Sequence, residues 1–454
     1  MKIQCIIIFN HLIMMAHTNA NALRKAFRGL HSDMQRSFAE CSSSKFVKKT
    51  VRITTSRNLP LPADMREQLL SSGGSRSTKN TYFPEEIQDH ILNEPSTATT
   101  YQFNVHDRKV VLHFVVFDDA MNTLKENKIL DEHARRVCAL IHLVSAHART
   151  ACSSTLNIYT YLTDFKKRFP TEKGQSLDAI HANTGMSYHC AKNNDVVVYR
   201  EEEWFKVLIH ELFHAFGLSF IEGDMEAEVH AGMQRSLQRM YAISHPVRIY
   251  ETYCEIWARI LNVVFDCFVD DDDDANDDAT TKSLNPRHAA ATDLQLQVFM
   301  ECVMDGLQSN AHFAQQQCAK LMRYMDLTYA TLANPAKQSR EIVSKKYREN
   351  TNIFAYYVLT CVLLHSPDEF IVWCYKNNPF TRSKPRHNIL QFRTIPSNFN
   401  GFMELLRHCK QRCPDLDSAS AHNHNIHNNA DVLGSSMRMS PPHSRSHPPI
   451  FMKN

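Results

Sequence analysis

The chain has 454 residues, a formal net charge of +3, and is 43% hydrophobic and 22% charged. That is the make-up of a soluble globular protein with room for two or three domains or one two-lobed body. So small a net charge, with no long basic stripe, gives no reason to expect a nucleic-acid partner. No run reaches the roughly 18–20 apolar residues of a membrane helix, so no membrane partner is expected.

The beginning, "MKIQCIIIFNHLIMMAHTNANA", mimics a signal peptide, with one lysine, a short apolar stretch and the small-residue ending Ala20-Asn21-Ala22. Gln4, Asn10 and His11 interrupt that stretch, and a start at Met14 or Met15 is the alternative. The 13 cysteines are odd in number, scattered, and form no C-x-x-C pair, Cys409 and Cys413 being the nearest two. This usage points to free thiols in a reducing compartment, hence to an intracellular location rather than secretion. Residues 1–100 read as a variable N-terminal region divided by the flexible "SSGGSRSTKN" at 71–80.

From 101 to 219 the elements are sharper. "KVVLHFVVF" (109–117) is a β-branched and aromatic run and predicts a buried strand. Ile129, Leu130, Ala134, Val137, Cys138, Leu140, Ile141 and Leu143 predict a helix over 126–148. "TLNIYTYLT" (155–163) and "DVVVY" (195–199) predict two more strands, with an extended edge piece near 183–190 between them. A helix follows at 201–218. The region 220–413 is expected to be mainly helical, beginning with a helix at 247–268 whose Ile249, Tyr253, Ile256, Ile260, Val263 and Cys267 share a face. "DDDDDANDD" (270–278) interrupts it as a solvated acidic loop. The stretch 414–454, rich in Ser, Asn, His and Pro, reads as a disordered tail whose His422, His424, His427, His443 and His447 bind metal only adventitiously.

The chemistry lies in "KVLIHELFHAFGL" (206–218), with His210, Glu211 and His214 in H-E-x-x-H spacing. Two histidines four apart lie one helical turn apart on one face and can meet one zinc ion. Glu211, about 100° around, is no ligand but can reach a water on the ion and take its proton as general base. Trp204, Phe205, Val207, Leu208, Ile209, Leu212, Phe213, Ala215, Phe216 and Leu218 make the helix apolar almost all round, so it is buried. Burying two imidazoles and a carboxylate without a partner costs several kcal/mol, and a metal with its water satisfies all three. Gly217 is expected to cap the helix. The longer metzincin pattern needs histidine at 220, where this chain has Phe220, so that reading fails.

A catalytic zinc needs a third protein ligand. Glu222, Asp224, Glu226, Glu228 and His230 fall in an irregular polar stretch. Glu251 and Glu255 lie at i and i+4 on the next helix, in "YETYCEIWARI". There one carboxylate can bind the ion and the other hold a ligating histidine's free N–H. The competing arrangement is an exposed face with Glu255 paired to Arg259.

The H-E-L-F-H of 210–214, followed by E-T-Y-C-E at 251–255, resembles the gluzincin zinc metallopeptidases. "VVVYREEEWFKVLIHELFH" and "NIYTYLTDFKKRFP" are also similar to zincin-like proteases of large nucleocytoplasmic DNA viruses, and the resemblance spans about 155–268. It implies Glu251 as the third ligand and Glu255 as the support of His210. It also implies an α+β, zincin-like two-lobed fold, with a small twisted mixed sheet and the active-site helix above and a mainly helical lobe below. Such a fold would take a peptide or protein substrate along its edge strand, near 183–190 here, by backbone pairing. Gluzincins usually add a His or Tyr for the oxyanion; Tyr241, His245, Tyr250 and Tyr253 are all near enough in sequence, and nothing selects one. The expected function is zinc-dependent endopeptidase. The alternative is a non-catalytic zincin-like zinc-binding protein acting in a virion or host interaction, against which the intact Glu211 argues.

Overall fold

A computed structural model describes residues 2–70, 82–117, 123–268, 292–378, 388–414, 416–417 and 435–441, with backbone alone for 2–17, 67–70 and 123–127. The linker 71–80, the acidic loop 270–278 and the five tail histidines lie outside the described residues.

The molecule is mixed α and β, with one six-stranded sheet in the order β1-β2-β3-β4-β6-β5. Its strands are β1 (Val47–Ile53), β2 (Ser96–Val105), β3 (Arg108–Val116), β4 (Thr155–Leu162), β5 (Gly185–Met186) and β6 (Asn193–Val198). β1, β2 and β3 pair antiparallel, β3-β4 and β4-β6 pair parallel, and β5 runs antiparallel to β6 at the edge. The strands expected at 109–117, 155–163 and 195–199 form adjacent members β3, β4 and β6. Between β3 and β4 runs α4 (Thr123–His147), the expected helix, and the one-turn α5 (Ala179–Ala182) precedes β5.

Both faces of the central strands are covered, and the period of two sorts their side chains. Leu156, Ile158, Val196 and Val198 enter the main core with α4 and with α6 (Trp204–Ala215). Tyr159, Tyr161, Val197 and Tyr199 enter a second core, closed by Ile87 and Ile91 of α3 (Glu85–Asn93) and by Met65 of α2 (Ala63–Leu70). Downstream of residue 219 the regular elements among the described residues are helical: α7 (Ala227–Met240), α8 (Ile249–Cys267), α9 (Asp293–Tyr324), α10 (Tyr329–Leu332), α11 (Lys337–Lys346), α12 (Thr360–Leu364), α13 (Pro367–Asn377) and α14 (Pro396–Arg412), with a π-helical turn over Phe354–Leu359. None of the described helices is long and apolar enough to cross a membrane.

The region 1–100 contributes to the fold: β1 extends the sheet, and α1 (Lys2–Ser42) packs on α4, α9 and α13 through the fully buried Phe27, Leu30 and Met34. Two expectations need correction. The tail is not uniformly disordered, because residues 435–441 run through the interior. Ser435 and Lys167 exchange backbone bonds with Phe169 and Met437. Gln317 donates to the Ser436 and Arg438 carbonyls, and the buried Glu203 carboxylate accepts from Met439 N at 3.1 Å and Ser440 N at 2.5 Å. Low average apolar content did not forbid burial, because Met437 and Met439 enter the main core and the backbone between them is hydrogen-bonded. Nor are the cysteines all free. Cys152–Cys190 and Cys267–Cys302 are disulfides, paired by the fold across 38 and 35 residues, while eight other described cysteines are not disulfide-bonded. The thiol argument for an intracellular location is therefore withdrawn.

Candidate metal centre

The motif helix is fixed at both ends. Glu203, in the left-handed region (φ 61°), turns the chain from β6 into α6. At the other end Gly217 N bonds to His214 O and Leu218 N to Phe213 O, a Schellman cap with Gly217 at φ +61°. A side chain there would also meet the Cys152–Cys190 disulfide, 3.2 Å from its ideal Cβ. Between these ends α6 lies against α8, and both helices are buried along almost their whole length.

That packing brings His210, His214 and Glu251 to one point. His210 Nε2 lies 3.0 Å from Glu251 Oε2, His214 Nε2 lies 3.4 Å from the same oxygen, and the two Nε2 atoms are 3.3 Å apart. Nitrogen and oxygen ligands at about 2.0–2.1 Å from a tetrahedral ion lie about 3.3–3.4 Å from one another, so one face of such a tetrahedron is present. The electrostatics agree. Burial opposes charge on His210, yet its bonds to Glu251 and Glu255 outweigh burial and push it up to about 10. Burial likewise lifts the Glu251 carboxyl, but the two imidazoles outweigh it and hold the group well below the carboxylate range. The three donors call for positive charge between them.

Glu255 accepts from His210 Nδ1 at 3.2 Å, which directs Nε2 toward the cluster. The same carboxylate takes Lys206 Nζ at 2.9 Å and Arg259 Nε at 3.0 Å, all three side chains being buried. The Arg259 pairing considered from the sequence therefore exists, but inside the protein and together with the histidine contact. Cys254 forms another donor group with the two histidines, its Sγ lying 3.8 Å from His214 Nδ1. That contact is made to Nδ1, whereas Glu251 faces Nε2 of the same ring.

Glu211, about 100° around the helix from His210, faces the same cleft without joining the three donors. Ser187 Oγ lies 2.8 Å from Glu211 Oε2 and 3.0 Å from its carbonyl oxygen. Burial raises the Glu211 carboxyl pKa against the opposing pull of His210 and His214. Gly185 of β5 presses on the same side chain: an ideal Cβ there would stand 3.0 Å from Glu211 Cγ and 2.8 Å from Val197 O, so only glycine fits. β5, Ser187, Glu211 and the three converging residues line a cleft of ≈ 380 Å³.

Two further groups were not found from the sequence. Tyr356 OH donates to Glu251 Oε2 at 3.1 Å, and Asn352 Nδ2 donates to Glu251 Oε1 at 3.2 Å. Both lie at the π-helical turn, in a stretch whose pattern predicted only a helix. Of the four oxyanion candidates by sequence, Tyr250 lines the cleft. Tyr241 packs on Phe354, His245 stacks on Tyr347, and the buried Tyr253 hydroxyl bonds to Leu390 O. The alternative ligands also separate from the centre: Glu222 and His230 line a small neighbouring pocket, and Glu228 begins α7.

Compared with protein-family models, curated proteins and solved structures, the chain has no match in any of the three.

Proposed function

We propose that the protein is a zinc-dependent peptidase of the gluzincin type, with His210, His214 and Glu251 as the ligands. The observation that carries the reading is the convergence of these three donors to 3.0–3.4 Å beside a buried carboxylate, Glu211, that is not one of them. A zinc ion bound there would acidify a water and polarise a carbonyl. Glu211, with its raised pKa, takes the proton of the attacking water, and the Ser187 hydroxyl holds it in place. Tyr356 is a neutral O–H donor beside the ligand set, suited to the oxygen that gains charge as the carbonyl becomes tetrahedral. Glu255 fixes the tautomer of His210. β5 pairs with β6 on one side only, which leaves its other edge for an extended peptide in the cleft.

The test is a peptide-library cleavage assay on the full chain, with and without a chelator, beside Glu211→Gln. The proposal expects chelator-sensitive cleavage that zinc restores, and an E211Q protein that keeps its zinc but loses at least about 100-fold in rate. Zinc binding without cleavage by the unaltered chain would favour the non-catalytic alternative.

A further inference from the structure

We propose that Glu40, His106 and His142 form a second metal site, for a divalent transition ion such as zinc, that clips the N-terminal helix to the sheet. The three residues come from α1, the turn between β2 and β3, and α4. His142 Nδ1 is 2.9 Å from Glu40 Oε2, His106 Nε2 is 3.8 Å from the same oxygen, and the three donor atoms lie within 4.8 Å of one another. His106 takes a left-handed backbone (φ 51°), which histidine tolerates better than most residues, and its ring stands edge-on to His142 at 5.3 Å.

The Ser44 hydroxyl lies 3.1 Å from Glu40 O and donates to it. Ser44 Oγ also lies 3.5 Å from His142 Nε2, within reach of a hydrogen bond in either direction. His142 Nδ1 faces a Glu40 carboxylate oxygen at 2.9 Å, a gap that its own ring hydrogen bridges in the absence of an ion and that two ligands of one ion can also span. Ser44 also provides the outer hydrogen bond that a ligating imidazole ordinarily makes. Two nitrogens and one carboxylate oxygen suit zinc, copper or nickel better than calcium or magnesium. Glu40 and His106 are 39% and 42% exposed, so the ion can enter from solvent. The site is independent of the peptidase reading.

The experiment is zinc stoichiometry of the full chain, stripped with chelator and equilibrated at a fixed free zinc concentration. Two equivalents are expected for the unaltered chain, and one each for His106→Ala, Glu40→Gln and the double variant H210A/H214A. His106 sits on a surface turn, and circular dichroism checks that each variant is folded. As a second readout, zinc should raise the Tm of H210A/H214A by several degrees and leave that of H210A/H214A/H106A unmoved. A stoichiometry that neither H106A nor E40Q reduces, including one held by the tail histidines, overturns the proposal, and so does a zinc-induced Tm rise that survives H106A.

Discussion

Glu255→Ala separates two things that one carboxylate does. It removes the acceptor of His210 Nδ1, and it strands the buried ammonium of Lys206 and guanidinium of Arg259. The first loss should weaken zinc by roughly 10–100-fold, as removal of a ligand's outer partner does, or about 1.4–2.7 kcal/mol. The second should lower the stability of the metal-free protein by about 3–5 kcal/mol, the usual cost of breaking a buried ion pair from one side. Lys206→Met in the same chain removes one stranded cation. The double variant E255A/K206M should therefore recover part of the stability and none of the zinc affinity. Competition with a chromophoric chelator reads the affinity, and urea unfolding of the chelated protein reads the stability. Unchanged zinc affinity in E255A would reduce Glu255 to a counter-ion. Recovery of affinity along with stability in E255A/K206M would show that the zinc effect was global softening.

Tyr356→Phe should lower kcat of the proposed reaction by about 100–1,000-fold, the scale of a lost oxyanion donor, with KM and zinc content little changed; an unchanged kcat removes Tyr356 from the chemistry. Glu349 accepts from Phe354 N at 2.7 Å, at the start of the turn that carries Tyr356. Burial raises its pKa to about 8, tempered by that bond and by the Tyr347 hydroxyl. The folded state therefore holds the Glu349 proton more tightly than the unfolded state, whose value is near 4.5. Stability from this group is complete below about pH 4.5, falls as pH rises toward 8, and is level above that. Glu349→Gln should flatten that slope in urea midpoints measured from pH 5 to 8.5, and an unaltered slope would place its origin elsewhere.

The parts legible in the sequence were those carried by local periodicity and fixed spacing. The β-branched runs gave three adjacent strands because strands buried on both faces are apolar throughout. The four-residue spacing gave the histidine pair, and Gly217 gave the cap. Glu251 and Glu255 stood out because two carboxylates sat one turn apart on an otherwise apolar helix. What stayed hidden depends on contacts between distant segments. Tyr356 and Asn352 reach Glu251 from about a hundred residues downstream, inside an apolar stretch where an aromatic residue reads as core. Ser187 matters only because Gly185 lets β5 press against Glu211. The two disulfides follow from tertiary folding, which cysteine spacing does not encode. Residues 435–441 looked like unstructured tail because the stretch around them is poor in apolar residues, whereas Met437 and Met439 enter the core and the Glu203 carboxylate captures backbone N–H groups there.

The central claim is that Glu251, and not Cys254, completes the set begun by His210 and His214. Zinc affinity of Glu251→Ala and Cys254→Ala, measured by chelator competition in an H106A background so that only this centre is counted, tests it most directly. The account predicts that E251A loses high-affinity zinc while C254A keeps it within about tenfold, the lower end of an outer-partner loss. Retention of zinc by E251A with its loss in C254A would contradict it.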